Sequence, residues 1–250
     1  FRLRGVGNAQ GGAIGEPGVA VYIDDVYASG IRQNYPQQFD IARMEVLRGP
    51  QGGLYGRNAI GGAINITTAA ADPTEFAAEG RLSAASFDRL DLFAVANLPL
   101  AKDVAAARFA LWRLDQGEGE HFNPVRRTWL DSFTTTGGRL SLGGDLSETR
   151  RWSIVAEASD TDGPGSLLFS PGRETRKTMR RNAEDRADTQ NFRITPKLVF
   201  DTALGEATLV YGYRRYEQSL SADGDFSDLV APGTTADVRT PGNKEELSTH

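Results

Sequence analysis

The stretch that decides the fold is IARMEVLRGPQGGLYGRNAIGGAINIT, residues 41–67. Apolar and β-branched residues at its two ends, 44–47 and 63–68, predict two short strands. The middle of the stretch is rich in glycine, which permits tight turns and close approach of backbones. We therefore expect a compact domain of short strands joined by glycine-rich turns, with room for a helical turn or two.

The segment before this stretch predicts one more strand and a tight turn. Residues 19–23 read VAVYI, and Asp24 and Asp25 follow them directly. Aspartate tolerates the backbone angles of tight turns and bonds its own chain. After residue 68 the sequence AAADP, at 69–73, interrupts every periodicity. We place a domain boundary there, so that the first domain covers residues 1–72.

From residue 73 to residue 250 the pattern changes to strict alternation. One face of the segment 90–98 carries Leu90, Leu92, Ala94, Ala96 and Leu98, and the other carries Asp91, Phe93, Val95 and Asn97. A period of 2 predicts β-strands, and the polar face of several segments carries charges. Counting all such segments gives about seven strands between positions 79 and 217: 80–87, 90–98, 108–115, 138–146, 152–159, 192–200 and 209–213.

The connections between these strands alternate in length. Short ones are predicted at 98–103, 145–150 and 201–206, and long ones at 116–136, 160–189 and 219–244. Long loops are uncommon in compact soluble domains. Short turns on one side and long loops on the other are typical of barrels in the bacterial outer membrane. A soluble sandwich or propeller has period-2 strands too, but no reason to alternate its connections in this way.

The size of the first domain indicates how large such a barrel would be. A barrel of eight strands is filled by its own side chains, whereas plugged lumens belong to barrels of about 22 strands. An eighth strand begins at 245–249, so the chain would hold about a third of a barrel of that size. The sequence therefore predicts a transmembrane β-barrel of about 22 antiparallel strands, with about seven of them in this chain.

Composition excludes several kinds of chemistry. The net charge is -5, and the chain has no cysteine and only two histidines. A general nucleic-acid binder would be more basic. His121 and His250 lie too far apart for the common zinc motifs, so we predict no metal site, no cofactor and no catalytic residue. The first residues, FRLR, lack an initiator Met and a signal peptide, so we expect the chain to begin within a longer protein.

The stretch 41–67 resembles the end of the plug domain of TonB-dependent outer-membrane receptors. Leu3, Arg4 and Gly5 resemble the earlier IRG of the same plug, and residues 21–26, VYIDDV, resemble its YIDGV hairpin. The resemblance departs at Gly53, where the family usually has a side chain such as threonine. It implies a mixed α+β plug, here residues 1–72, inside the barrel to which residues 73–250 contribute the first strands.

The resemblance also implies a function. A receptor of this family takes up a scarce ligand, most often a ferric siderophore, and is driven by a TonB-type energy-transducing protein that binds an N-terminal segment by strand addition. The expected localisation is the bacterial outer membrane, with lipid and lipopolysaccharide as neighbours, and the expected state is a monomer. Six basic residues between 160 and 189, among them Arg181 and Arg186, predict contact with anionic groups. No enzymatic activity is implied.

The resemblance and the turn pattern together suggest candidate site residues. The loop 28–38 would form the plug apex, and its ligand-binding candidates are Arg32, Asn34, Tyr35 and Gln37. A guanidinium pairs with an anion and a tyrosine ring stacks on a planar ligand, while the amides fix orientation. Arg4 and Arg48 are candidates for ion pairs between plug and barrel, because a buried charge must be paired. The resemblance implies barrel glutamates as their partners.

Two alternatives remain open at this point. The first is a plugged receptor of the same family that serves signalling or adhesion. The second is a soluble β-rich enzyme or glycan-binding module. An extra periplasmic domain before the plug would indicate the first, and solubility of the full-length protein without detergent would indicate the second.

Overall fold

The computed structural model describes residues 18–28, 39–52, 59–164, 178, 180–182 and 184–221, and the backbone alone of three strand pairs of residues at 2–3, 6–7 and 248–249. Most of these residues form two sheets, which we call the small sheet and the large sheet. Among the described residues, no helix is long and apolar enough to cross a membrane. The first two strands, Arg2–Leu3 (β1) and Val6–Gly7 (β2), pair only with each other.

The small sheet contains the strands predicted around the glycine-rich stretch. They are β3 (Val19–Ile23), β4 (Val26–Tyr27), β5 (Ile41–Arg48) and β6 (Gly62–Thr68), in the order β4-β3-β6-β5. β3 is parallel to β6, and the other two pairings are antiparallel. The apolar side chains of β3 and β6 form its core, with Val19, Val21, Ile23, Ile64 and Ile66 packed on one face. β3 is buried on both faces, which explains its unbroken apolar run.

The predicted turn at Asp24 and Asp25 is confirmed. Both residues have positive φ, 51° and 68°, and they join β3 to β4 as a two-residue hairpin loop. Positive φ at both central positions is characteristic of the type I′ turn, whose backbone twist matches the twist of the two strands of a hairpin. Aspartate adopts this region more readily than most residues, so the sequence signal had a direct physical basis.

The large sheet holds the alternating segments. Its strands are β7 (Ala77–Ala85), β8 (Arg89–Ala101), β9 (Ala105–Gln116), β12 (Phe133–Ser147), β13 (Arg150–Pro164), β14 (Arg186–Thr202), β15 (Gly205–Ser221) and β16 (Ser248–Thr249); β10 (Phe122–Asn123) and β11 (Thr128–Trp129) form a separate hairpin between β9 and β12. Every neighbouring pair in the large sheet is antiparallel. The seven predicted strands are confirmed, but most are longer than predicted. Their polar and glycine-containing ends continue the ladder where the apolar alternation stops.

The two faces of the large sheet differ sharply in polarity. Strand register places the even-numbered apolar residues of β8 on the same face as Phe109 and Leu111 of β9, as predicted for 90–98. This outer face carries many exposed large apolar side chains, among them Leu92, Leu98, Phe109, Leu111, Phe192, Leu209 and Tyr211. The opposite, inner face carries buried arginines and hydroxyl groups and contacts the small sheet. This is the polarity of a lipid-facing barrel wall.

Connections on the two ends of the large sheet differ in length, as predicted. Two or three residues join β8 to β9, β12 to β13 and β14 to β15 at one end. The other end has the three-residue turn 86–88 and the long connections 117–132, 165–185 and 222–247. Of the long loops, the first contains the β10–β11 hairpin, which pairs with Thr178 and exchanges hydrogen bonds between Asn123 and the backbone of Arg181.

Residues 69–76 connect the small sheet to β7 and are hydrogen-bonded to the large sheet and to the turn after β8. Asn97, buried on β8, accepts a hydrogen bond from the Asp72 amide and donates to the carbonyls of Asp72 and Glu75 at 2.8 and 2.7 Å. The Asp103 amide donates to the Pro73 carbonyl. The segment predicted as a domain boundary is thus an ordered connection, and the division at residue 72 stays a prediction.

Candidate functional site

The charged contact between the two sheets is the candidate site. Strand directions bring Asp24, Asp40 and Thr68 to one edge of the small sheet, because β3 and β6 end there and β5 begins there. Thr68 ties this edge together, since its amide donates to an Asp24 carboxylate oxygen at 2.8 Å and its hydroxyl donates to the same carboxylate. The Ala69 amide also donates to the Asp40 carbonyl. This acidic edge faces the inner side of the large sheet.

Three charged residues lie at the centre of the inner face of the large sheet. They are Arg139, Glu157 and Arg193, which we call the arginine–glutamate row. They lie directly opposite one another on β12, β13 and β14. Arg139 Nε and Arg193 Nη2 donate to the same Glu157 oxygen at 2.7 and 3.0 Å. All three side chains are at least nine-tenths buried. Two buried guanidiniums therefore share one carboxylate, which leaves an excess of positive charge.

The small sheet supplies the missing negative charge. Arg193 Nη1 donates to Asp24 Oδ2 at 2.7 Å, and the Asp24 side chain is itself mostly buried. Arg139 Nη1 donates to the carbonyl oxygens of Phe39 and Asp40 at 3.2 and 3.1 Å. The two ends of the row thus contact different parts of the small sheet, the turn after β3 and the residues just before β5.

Two further ion pairs flank the row. Arg108 forms a bidentate pair with Asp40, with N···O distances of 2.6 and 2.9 Å. Lys197 Nζ donates to Asp25 Oδ2 at 2.6 Å, in a half-exposed position. The four cations Arg108, Arg139, Arg193 and Lys197 thus face four carboxylates, those of Asp24, Asp25, Asp40 and Glu157. Buried charges need partners of opposite sign, because an unpaired buried charge costs several kcal/mol.

Apolar contacts continue the interface beside the ion pairs. The rings of Phe39 and Phe93 lie 4.4 Å apart, and Arg81 stacks on Phe93 at 4.6 Å from the ring centroid. Trp112, fully buried on β9, carries Arg139 over its ring. On the opposite side of the sheet contact, a Cβ built on Gly212 of β15 would meet Val26 Cγ1 at 2.4 Å. Glycine at that position therefore lets β4 approach the wall closely.

The predicted site residues are placed as follows. Arg4, Arg32, Asn34, Tyr35 and Gln37 lie outside the described residues. Arg48 is exposed at the end of β5, and no ion pair joins it to another residue that the structure describes. The roles of all six stay predictions. The ion pairs between the two sheets have the polarity opposite to the one predicted for Arg4 and Arg48. Their carboxylates, Asp24, Asp25 and Asp40, come from the small sheet, and their cations, Arg108, Arg193 and Lys197, come from the large sheet.

Sequence reasoning did not select the residues of this interface, although signals were present. Arg193 and Lys197 lie on the polar face of the alternating segment 192–200, and the polar face is where buried charges of the large sheet occur. Asp24 and Asp25 were assigned to a turn, which is correct but incomplete. Pairing between residues that are 169 and 172 positions apart cannot be obtained from local pattern.

Basic residues of the 160–189 segment are less available than predicted. Arg181 is fully buried, and Arg186 forms a bidentate pair with Asp162 at 2.6 and 2.7 Å. Arg181 also lies 4.0 Å from the Asp185 carboxylate, so both cations already face carboxylates of this chain. Contact of this segment with lipopolysaccharide stays a prediction. In the parts of the chain that the structure describes, no group of three or more potential metal ligands occurs.

Comparison with known proteins identifies the small sheet. Residues 1–63 match the family model of the TonB-dependent receptor plug domain. Residues 1–63 thus have the sequence of a TonB-dependent receptor plug domain. The pesticin receptors of Yersinia enterocolitica and Yersinia pestis are 45% identical to this chain over 73 residues, which are 29% of its length and 10% of those proteins. We therefore call the small sheet the plug sheet and the large sheet the barrel wall.

Solved structures confirm the predicted fold class across both sheets. The ferric yersiniabactin uptake receptor of Yersinia pestis superposes with a TM-score of 0.70 at 21% identity, covering 83% of this chain and 33% of that one. A siderophore receptor of Acinetobacter baumannii gives a TM-score of 0.66 at 18% identity, covering 88% and 32%. The chain thus spans about a tenth of its curated relatives and about a third of these structures. The bacterial outer membrane, predicted as the localisation, is confirmed by the family.

Proposed function

We propose that this chain belongs to a receptor that takes up a ferric siderophore across the outer membrane with energy supplied through a TonB-type protein. The main support for the proposal is that the plug sheet packs against the polar inner face of the barrel wall, whose outer face is apolar. Such a plug blocks the lumen until it is displaced. Relatives named for ferric yersiniabactin and ferripyoverdine support an iron chelate as the ligand class.

The ion pairs of the interface support coupling to an energy source. Separating a buried charged pair without replacing its partners costs about 3–5 kcal/mol. Thermal motion alone rarely opens several such contacts together, so displacement of the plug needs applied work. The predicted partner is a TonB-type protein that adds a strand to an N-terminal segment and pulls on it. Lipopolysaccharide contact and a monomeric state belong to the same proposal.

The family consists of receptors and transporters, not of enzymes. We extend this to the chain, for which we propose no catalytic step and no resident cofactor. Iron would pass as cargo. The confirmed barrel fold also leaves no support for a soluble β-rich enzyme or glycan-binding module.

The test is uptake of radioactive iron by cells that express the full-length receptor and lack their own siderophore receptors. Ferric yersiniabactin and ferripyoverdine are the probes. We expect saturable uptake of at least one, abolished by a protonophore and by deletion of the TonB-type partner. Binding of a chelate without uptake would favour the signalling alternative, and neither binding nor uptake of any iron chelate in a wider panel would contradict the proposal.

A further inference from the structure

A groove of about 460 Å³ lies on the outer face of the barrel wall, across β12, β13, β14 and β15. Two of its lining residues, Ala158 and Phe192, directly follow Glu157 and precede Arg193 in the chain. Because successive side chains of a strand point to opposite faces, these two lie on the face opposite to the arginine–glutamate row. We call this site the outer groove, and its volume is that of a site for a small organic molecule.

The outer groove lies where the outer face changes from apolar to polar. From Phe192 toward the short turns, every second residue of β14 is apolar as far as Phe200. Toward the long loops the next residues on this face are Gln190 and Asp188. Long loops lie on the extracellular side of outer-membrane barrels. The groove is therefore at the level of the lipid headgroups of the outer leaflet.

The lower side of the outer groove is apolar. Ala158 lies between Gly138 and Phe192 at one level of the sheet, so a small side chain forms the floor. The Phe192 side chain is exposed, and its ring lies 6.2 Å from the ring of Tyr213. Exposed aromatic rings at this depth are typical of the girdles of membrane barrels. They provide an apolar surface for an acyl chain or for the flat face of a sugar ring.

The upper side of the outer groove is a row of polar side chains. Thr136, Asp160, Gln190 and Glu217 lie opposite one another on the four strands. Among the described residues, no hydrogen bond or ion pair joins the side chain of Asp160 or Gln190 to another residue. A carboxylate accepts hydrogen bonds from hydroxyl groups, and an amide both donates and accepts. This row thus suits a ligand that carries several hydroxyl or amide groups.

Arg215 adds a phosphate-binding group at one end of the outer groove. Its guanidinium donates to the Glu217 carboxylate, and about half of the Arg215 side chain is exposed. An exposed ion pair of this kind contributes little to stability, so the guanidinium is available to another anion. Its planar set of donors matches the oxygens of a phosphate. The groove therefore combines hydroxyl-binding, phosphate-binding and apolar surfaces.

We propose that the outer groove binds the phosphorylated glucosamine headgroup of lipid A, the membrane anchor of lipopolysaccharide. The sugar hydroxyl and amide groups bind Asp160 and Gln190, a phosphate binds Arg215, and an acyl chain packs on Phe192 and continues down the apolar face. A phospholipid would supply the phosphate and the acyl chain but fewer groups for Asp160 and Gln190. The proposal rests on the lipid contact included in the proposed function and adds its site, which lies on the wall and not on the arginines of the loop 160–189.

The experiment measures binding of purified lipid A to the delipidated full-length receptor in detergent by native mass spectrometry. The test variant is Asp160→Ala with Arg215→Ala. The matched control is Asp115→Ala with Arg113→Ala, which removes an exposed aspartate and an exposed arginine from the same face, outside the groove. Both double variants leave the net charge unchanged. Phosphatidylglycerol is the comparison lipid.

We expect one tightly bound lipid A per wild-type receptor, a Kd at least tenfold higher for the test variant, and a change of less than twofold for the control. Phosphatidylglycerol is expected to bind more weakly and to be insensitive to both variants. Unchanged affinity of the test variant for lipid A would overturn the proposal. Equal binding of phosphatidylglycerol with the same loss in the test variant would also overturn it, because the site would then recognise a phosphate without the sugar.

A second variant serves if the first does not reach the folded form that migrates differently on gels after heating. Gln190→Trp fills the outer groove from an exposed position, and Ser219→Trp, exposed on β15 outside the groove, is its control. The same outcomes apply to this pair. Iron uptake is measured separately in cells, so failure of lipid A binding leaves the proposed function standing.

Discussion

At the scale of single residues, Glu157 determines how the charges of the interface are balanced. It neutralises one guanidinium charge while bonding two, so that Asp24 of the plug sheet becomes the counter-charge of Arg193. The wall therefore cannot satisfy its own charges, and the plug completes them. This makes seating of the plug and stability of the wall interdependent.

Replacing Glu157 with glutamine is predicted to destabilise the full-length receptor by about 3–5 kcal/mol, because Arg139 and Arg193 remain buried without their shared anion. Urea unfolding in lipid vesicles measures the loss. The control is Glu206→Gln, which removes the exposed partner of Arg151 and is expected to cost less than about 1 kcal/mol. Equal effects of the two substitutions would show that the row contributes no more than a surface pair.

Gly137 of β12 lies beside the arginine–glutamate row, and substituting it tests how tightly this region packs. A Cβ at this position would lie 2.5 Å from Trp112 Cζ2 and 2.8 Å from the Ala158 carbonyl oxygen. Because a backbone atom cannot easily withdraw, Gly137→Ala is predicted to cost about 1–3 kcal/mol, measured by the same urea transition. Gly80→Ala is the control, since its Cβ would meet nothing closer than 3.9 Å. A Gly137→Ala variant as stable as the control would contradict this packing.

At the scale of elements, the connection between plug and wall depends on one buried amide. The Asn97 side chain is 1% exposed. It forms hydrogen bonds with Asp72 and Glu75, the two ends of the segment 72–75. Asn97→Leu keeps the branching and the number of side-chain heavy atoms but leaves the Asp72 amide and two carbonyls without these bonds, which is predicted to cost about 1–3 kcal/mol per group left buried.

Hydrogen exchange at residues 69–76 is the measurement for Asn97→Leu, and we expect faster exchange there with little change in β13 and β14. Thr74→Ala, which removes only an exposed bond to Asp72, is the control. Unchanged exchange in the Asn97→Leu variant would mean that the connection is held by other contacts.

The β10–β11 loop is predicted to depend on pH. Burial would raise the pKa of Asp131, but hydrogen bonds from the Glu120 amide and from the ring and amide of His121 outweigh it, so the pKa lies below its ordinary value. A carboxyl group with a lowered pKa in the folded state stabilises the loop above its unfolded pKa, near 4, and loses this effect as pH falls through the lower folded value.

Limited proteolysis of the full-length receptor between pH 6 and pH 3 measures this dependence. We expect cleavage between residues 117 and 132 to rise at the acid end, and Asp131→Asn to be cleaved faster than the wild type at pH 6. A loop that stays resistant at pH 3, or a variant indistinguishable from the wild type at pH 6, would contradict the role of the carboxylate.

Much of the element-level structure followed from the sequence, for reasons that are local. Alternation along 90–98 predicted which residues share a face, and Asp24 with Asp25 predicted a turn, because side-chain period and backbone preference act over a few residues. The lengths of the strands were underestimated. β12 has 15 residues, and its pairing with β13 is stabilised by backbone hydrogen bonds that leave no hydropathy signal.

The charged interface could not be predicted in the same way. Its partners come from distant parts of the chain, and the resemblance pointed to arginines on the plug instead of aspartates. Both the docking of the plug sheet and its register against β14 depend on tertiary contact. The sequence indicated only that charged residues lie on the polar face of several strands.

At the scale of the whole molecule, one arrangement accounts for the fold and the proposed function together. The wall faces lipid with an apolar outer surface and faces the plug with cations. The plug sheet completes the wall's charges. Under the proposed function the same sheet closes the lumen, so the contacts that stabilise the receptor are the ones that must be separated to open it.

Docking of the plug sheet on the wall is the central claim, and a disulfide between Val26 and Gly212 tests it most directly. The Cβ built on Gly212 lies 3.1 Å from Val26 Cβ, a few tenths of an ångström shorter than a disulfide requires. In the full-length receptor with Val26→Cys and Gly212→Cys, expressed in the outer membrane, we predict a spontaneous disulfide, seen as a cross-linked peptide pair by mass spectrometry and absent from the Val26→Cys, Gly80→Cys control. Two free, alkylatable thiols in the first variant would contradict the docking of the plug sheet on this wall.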